Sequence, residues 1–455
     1  MEDYSSTGLK AYVEVRGGVV RLDLSRKGLS RIPDAVTELT EVQELKLHNN
    51  NLAELPTSIN KLKNLVRLYL YTNALTELPS EIGDLKKLRK LDVEDNQLVS
   101  LPTSIQKLNQ LEELDLSQNK LTELPSEIGD LKELRELCVS INQLVSLPTS
   151  IQKLNQLERL HLLANKLTEL PSEIGDLKKL RVLNVSNNEL VSLPTSIQKL
   201  NHLENLDLSR NKLTELPSEI ADLKELRTLD VSNNQLVGLP TSILKLNQLE
   251  ELLLSYIKLT ELPSEIGDLK ELRRLYVGYN QLVSLPTSIK KLNKLDMLYL
   301  AANKLTELPS EIGDLKKLKT MNVSNNKLVS LPTSVQKLNQ LEELDLSGNK
   351  LTELPSEIGD LKKLKTLNVS KNKLVSLPTS IQKLNQLEEL DLSDNKLTEL
   401  PSEIGDLKEL RRLTVSGNPL TSDAKHFLEM KIKGMTGMFL KGEIVVKLLE
   451  WYFCY

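Results

Sequence analysis

Aliphatic residues return along this chain on a fixed beat. In the turn around Pro125, Leu111, Leu114, Leu116, Leu121, Leu124, Ile128, Leu131 and Leu134 hold offsets that recur 23 residues later. The stretch Glu113-Leu114-Asp115-Leu116-Ser117 alternates polar and apolar, which predicts a half-buried strand. After Pro125 the apolar spacing becomes three, and predicts a short helical or 3₁₀ segment crossing the back. Glu127 and Asp130 come early in that segment and Lys132 late, as its dipole favours. Seventeen prolines from Pro33 to Pro401 keep the 23-residue interval without insertion or deletion. Such a period marks a solenoid, in which each turn buries its apolar face against its neighbours.

Asparagine stands six residues before the proline in fifteen of the seventeen repeats and again at Asn418. A side-chain amide there can pair with backbone groups that a tight turn leaves open, so stacked turns would build a ladder of such bonds. Lys27 and Ile257 are the exceptions.

The motif LxxLxLxxNxLxxLPxxIxxL, over roughly residues 19 to 420, resembles the leucine-rich repeat superfamily in its 23-residue LPxxI class. That class includes intracellular Ras-pathway and cell-polarity scaffolds such as Scribble and Erbin, and plant intracellular Ras-group-related proteins. The resemblance implies an α/β solenoid, a right-handed superhelix (horseshoe) with a parallel concave β-sheet and short helical or 3₁₀ convex segments. It also implies non-catalytic binding of a protein partner on the concave face, with Ras-like GTPases or phosphatase complexes as the partner class. The motif residues themselves are core and ladder residues and name no partner.

Residues 1–18 do not fit the repeat and read as an N-terminal cap ending in Gly17-Gly18; residues 19–420 carry the 17 to 18 repeats. Residues 421–455 read as a helical cap, with Thr421 or Ser422 as N-cap and Phe427 and Leu428 over the last core edge, followed by the apolar tail EIVVKLLEWYFCY. That tail either completes the cap or begins a further domain or docking segment. Within the array, PTSIQKLNQLEELDLS alternates with PSEIGDLKKLRxLxVS, so the copied unit is 46 residues, as tandem duplication produces. The back should then carry alternating stripes, one rich in Glu, Asp and Lys, the next in Gln, Asn and Lys.

Composition narrows the partners. Of the 455 residues 39% are hydrophobic but only 3% aromatic, so the core is aliphatic. A formal net charge of −4, from 59 basic and 63 acidic residues, gives no electrostatic case for nucleic acid. Cys138 and Cys454 cannot supply the disulfide framework usual in a secreted array. The start, MEDYSSTGLK, lacks the basic and apolar runs of a signal peptide, and no 18-residue apolar stretch spans a bilayer. Sequons at Asn184, Asn322 and Asn368 then read as by-products of the repeat, and the expected compartment is the cytoplasm.

Candidate chemistry is sparse. None of His48, His161, His202 and His426 has a second His or Cys at metal-ligating spacing, so isolated imidazoles are expected and no metal or cofactor. Carboxylate pairs such as Glu113 with Asp115 recur because the repeat copies them. Ser242-Ile243-Leu244-Lys245 resembles a phosphatase-docking tetrapeptide, but Ile243 is a core position. No P-loop or kinase signature is present. The chain does not read as an enzyme.

The strand positions flanking the buried leucines vary while the back stays almost constant, and they project from one face because strand side chains alternate. Six of the ten tyrosines fall there. Leu253, Tyr256, Ile257, Tyr276, Tyr279, Met297 and Tyr299 lie in three consecutive repeats and form the candidate partner-binding patch, since Tyr is enriched among residues that dominate binding. His48, Arg67, Tyr69 and Tyr71 form a second patch, and Glu343, Asp345, Glu389 and Asp391 an acidic stretch further on. Two other functions fit the same residues: a recognition receptor of innate-immune type, or a purely structural assembly element.

Overall fold

The structure, a computed structural model, describes residues 8–426. The chain divides into two compact units, Met1–Gln235 and Leu236–Tyr455. In the first, a 3₁₀ turn over Gly8–Tyr12 leads into β1 (Val13–Arg16), which pairs antiparallel with β2 (Val19–Asp23). The hairpin turns on Gly17 and Gly18 at φ +59° and +78°, the two positive angles that a tight two-residue hairpin of this twist needs. Nine parallel three-residue strands follow: β3 (Glu44–Lys46), β4 (Arg67–Tyr69), β5 (Lys90–Asp92), β6 (Glu113–Asp115), β7 (Glu136–Cys138), β8 (Arg159–His161), β9 (Val182–Asn184), β10 (Asn205–Asp207) and β11 (Thr228–Asp230). The second unit carries β12 (Glu251–Leu253), β13 (Arg274–Tyr276), β14 (Met297–Tyr299), β15 (Thr320–Asn322), β16 (Glu343–Asp345), β17 (Thr366–Asn368), β18 (Glu389–Asp391) and β19 (Arg412–Thr414), also parallel.

Each turn follows the expected pattern. Pro125 is extended at φ −65°, and its carbonyl accepts the Ile128 N–H at 3.0 Å to start the 3₁₀ turn Ser126–Asp130. The middle residue of each short strand points into the core and its two neighbours point out. All eight aliphatic positions of the type repeat are at most 5% exposed, so each turn is a slice through the apolar interior of its unit. Burial of this regularity is the main stabilising term of the fold.

The asparagines form the ladder. Asn303 Nδ2 donates to Leu300 O of its own turn at 3.0 Å and to Val277 O of the preceding turn at 2.9 Å, while its Oδ1 accepts the Leu282 N–H at 2.9 Å. The residue before each asparagine takes a left-handed conformation, as at Ala302 (φ 54°) and Asn325 (φ 53°). The amide fills the corner that this sharp reversal opens. Ile257 and Lys27 show what happens without it: the turn gains a second positive-φ residue, Lys258 (φ 60°) or Gly28 (φ +65°). The freed N–H then bonds to the next asparagine, Ile257 to Asn280 Oδ1 at 3.1 Å and Lys27 to Asn50 Oδ1 at 3.0 Å.

The 46-residue unit has a packing counterpart. A Cβ on Gly129 would overlap the carbonyl oxygen of Ser150 in the next turn, and Gly83, Gly175, Gly267, Gly313 and Gly359 stand in the same relation to serines 21 residues on. Glycine in one kind of turn thus admits the close approach of the other kind. Lys153 and Lys291 reach back across the same junction to Asp130 and Asp268, each at 3.4 Å, though such exposed pairs contribute little.

At the C-terminal side Thr421 Oγ1 accepts the Ala424 N–H at 3.2 Å, capping the helix that begins at Ser422. Phe427, Leu428, Cys454 and the apolar tail lie outside the described residues.

Three outcomes follow from this packing. Asn303→Ala leaves buried backbone groups without partners and should lower local stability by about 1–3 kcal/mol; amide exchange at Leu282 reads it, and unchanged protection there would contradict the ladder's role. Gly129→Ala should cost about 1–3 kcal/mol in urea unfolding, as overpacking does. Ser150→Ala should be near neutral, because the obstructing atom is a backbone carbonyl and the Ser150 Oγ is buried without a hydrogen-bond partner among the described residues.

Candidate functional site

The outward side chains of neighbouring strands stand in rows, because the register pairs each residue with the one 23 later. Leu253 lies opposite Tyr276, and Tyr276 opposite Tyr299. The Tyr276 and Tyr299 rings stack with centroids 4.6 Å apart and planes 12° off parallel. Tyr256 and Tyr279, just beyond the ends of β12 and β13, stack at 4.2 Å and 10°. Strand spacing near 4.8 Å imposes this face-to-face geometry on any two aromatics one period apart. Tyr276 Oη reaches Met297 Sδ at 3.8 Å, and the Arg274–Glu251 pair (2.6 Å) borders the group. Burial, then Tyr299 and Glu251, raise the Tyr276 phenol pKa above the usual range, and burial, then Glu343, raise that of Tyr299.

Tyr256 and Tyr279 are 47% and 52% exposed on left-handed backbone at φ 60° and 55°. That conformation costs a non-glycine residue of order 1 kcal/mol or more, and the same position in other turns holds Asn, Asp or Gly but also Thr72, Gln118, Ile141, Ala164, Arg210 and Lys371. Tyrosine there contributes nothing to the turn. The repeat pattern alone gave no sign of this, since the strand alternation stops two residues earlier.

Six of the seven expected patch residues are therefore brought together. The seventh, Ile257, is not on this surface: it is 0% exposed. It occupies the ladder position, where the asparagine side chains point inward, and apolar burial takes the place of the amide. The loss of asparagine there is met within the turn and by Asn280, so it needs no partner to offset it.

The second patch also forms stacks. His48 and Tyr71 lie 4.2 Å apart at 9°, Lys90 Nζ sits 5.8 Å from the centre of the Tyr69 ring, and Arg67 reaches Glu44 at 3.5 Å. Burial lowers the His48 pKa, keeping its ring neutral. In the acidic stretch much of the charge is used locally: Glu389 pairs with Arg412 at 3.3 Å, and Asp345 and Asp391 accept the N–H groups of Ser347 and Ser393.

One constellation contradicts the expectation that the histidines are isolated. The register sets Cys138 opposite His161, and with Glu136 their donor atoms lie within 4.8 Å of one another. The two residues are 23 apart, one period, a spacing that means nothing in a helix or loop and adjacency in a solenoid. A carboxylate cluster of Asp92, Glu94 and Asp115 lies at the ends of the neighbouring strands β5 and β6, Glu94 two residues past β5. Burial, with Asp115 beside it and against a bond from the Glu94 N–H, pushes the Asp92 carboxyl up to about 6.

These features define a solenoid binding module with a variable sheet face. The chain belongs to the leucine-rich repeat superfamily: models described as leucine rich repeat match residues 40–98, 86–144, 155–213, 247–305 and 293–351, and a leucine-rich repeat region matches 196–259 and 340–437. Proteins of this family typically act as protein-binding scaffolds. A leucine-rich repeat protein of Leptospira interrogans is similar at 38% identity and TM-score 0.70, covering 95% of this chain and 97% of that one. The Arabidopsis receptor kinase HAESA ectodomain, solved with a peptide hormone ligand, is similar at 27% and 0.63, covering 92% and 80%. YopM from Yersinia enterocolitica is similar at 28% and 0.55, covering 88% of each. No curated protein sequence matches the chain. Among the described residues no helix is long and apolar enough to cross a membrane.

The raised Asp92 carboxyl sets a pH dependence. Because the folded state holds this proton more tightly than the ordinary value of 3.8 allows, stability falls as pH rises from about 4 through about 6. Asp92→Asn should therefore be more stable than the wild type at pH 7, with the gap closing by pH 4. Urea midpoints at the two pH values check it, and an equal gap at both would contradict the assignment.

Proposed function

We propose that this chain is a non-catalytic protein-interaction scaffold that takes its partner on the sheet face of β12–β14. Leu253, Tyr256, Tyr276, Tyr279, Met297 and Tyr299 make the contact. The single observation that carries this reading is the pair of tyrosine stacks, two of whose rings stand half-exposed at a turn position that the scaffold fills with many other residue types. Stacked rings have already lost rotamer freedom, so docking against them costs less ordering than docking against free side chains. Each phenol offers an apolar flank and a hydrogen-bonding tip, the combination that dominates binding at protein interfaces. The His48, Arg67, Tyr69 and Tyr71 patch serves as an auxiliary contact in the other unit.

By the resemblance to the LPxxI class, a Ras-like GTPase or a phosphatase complex, in the cytoplasm, is the first partner class to test. The experiment is a quantitative pull-down from native lysate with wild type and with Tyr256, Tyr276, Tyr279 and Tyr299 all changed to Ala, circular dichroism showing that both are folded. Removing each anchoring tyrosine should cost at least about 1 kcal/mol, so specific partners drop out with the quadruple variant. Recovery of the same partners at the same yield would refute the site.

A further inference from the structure

We propose that Glu136, Cys138 and His161 form a binding site for a zinc-class divalent metal ion on the sheet face of the first unit. The three side chains come from adjacent strands, β7 and β8, and are half-buried on one face. They offer a thiol, an imidazole and a carboxylate, three of the donor types that zinc takes in protein sites, and their donor atoms lie within 4.8 Å of one another. Zn–S near 2.3 Å and Zn–N near 2.0 Å place tetrahedral ligand atoms roughly 3.3–3.8 Å apart. The thiol already meets this, since Cys138 Sγ stands 3.7 Å from Glu136 Oε1 and donates to it. The His161 ring nitrogen lies within 4.8 Å of both donors, on a strand that the register holds beside β7.

The surroundings hold the carboxylate ready. Arg159 donates through Nε (2.9 Å) and Nη2 (2.6 Å) to Oε2 of Glu136 and leaves Oε1 turned toward the sulfur. A fixed partner on the far oxygen is the arrangement that orients metal ligands elsewhere. Asp115 lies opposite Cys138 on β6, and with Asp92 and Glu94 beside it supplies negative charge that offsets the Arg159 cation. Coordination forms a sulfur–metal bond and releases the thiol proton to solvent. A thiolate and an imidazole select against magnesium and calcium, which take oxygen ligands. Three protein donors leave the fourth position to water, facing away from the sheet.

The test uses the full chain, chelator-stripped and reduced, titrated with Co(II) as an optical probe and then with Zn(II). Thiolate coordination produces a near-ultraviolet charge-transfer band that should saturate at one equivalent and disappear as Zn(II) displaces Co(II). Cys138→Ser should abolish the band, His161→Ala should weaken Co(II) binding at least about tenfold, and Cys454→Ser should leave both unchanged. Circular dichroism verifies that each variant is folded, and Glu136→Gln gives a milder loss should either of the others misfold. A band that survives Cys138→Ser, a band lost with Cys454→Ser, or no saturable band at all would overturn the site.

Discussion

Everything in this structure depends on the buried asparagine amide that ties each turn to the one before it. It donates to carbonyls of both turns and accepts an N–H from the earlier one, so it satisfies backbone groups that a sharp left-handed corner would otherwise leave open. Because the bond runs between turns, it also sets their relative position. Residue i and residue i+23 become neighbours at strand spacing, and this holds along each unit.

That one relation generates the chemistry of the surface. Two aromatics one period apart must stack, which accounts for His48 on Tyr71, Tyr256 on Tyr279 and Tyr276 on Tyr299. A cysteine and a histidine one period apart become a donor pair, and two aspartates one period apart crowd each other enough to help hold a proton on Asp92. The scaffold thus places side chains without regard to what they are. Ile257 marks the boundary of that freedom: one position later than Tyr256, it belongs to the ladder and is buried.

The back of the solenoid follows a second rule, of volume rather than hydrogen bonding. Gly129 and the other glycines of this position approach the following serine so closely that a Cβ would overlap its carbonyl oxygen, although Ala221 occupies the same position of its own turn. Duplication of a two-repeat block explains why the alternation exists; this contact explains why the two halves of the block are not interchangeable.

The sequence by itself determined the solenoid, its period, the eight core positions and the amide ladder, because each recurs many times and a fixed period leaves one way to bury it. It also located the face on which Tyr276, Met297 and Tyr299 stand, since strand alternation is a local property. The fixed period also grouped six of the seven patch residues across turns; the tertiary structure decided which side chains touch there. The inward aim of Ile257, the left-handed backbone under Tyr256 and Tyr279, and the meeting of Glu136, Cys138 and His161 depend on how one turn lies against the next. Spacing along a single turn carries no record of that register; the hydrogen bonds between turns create it.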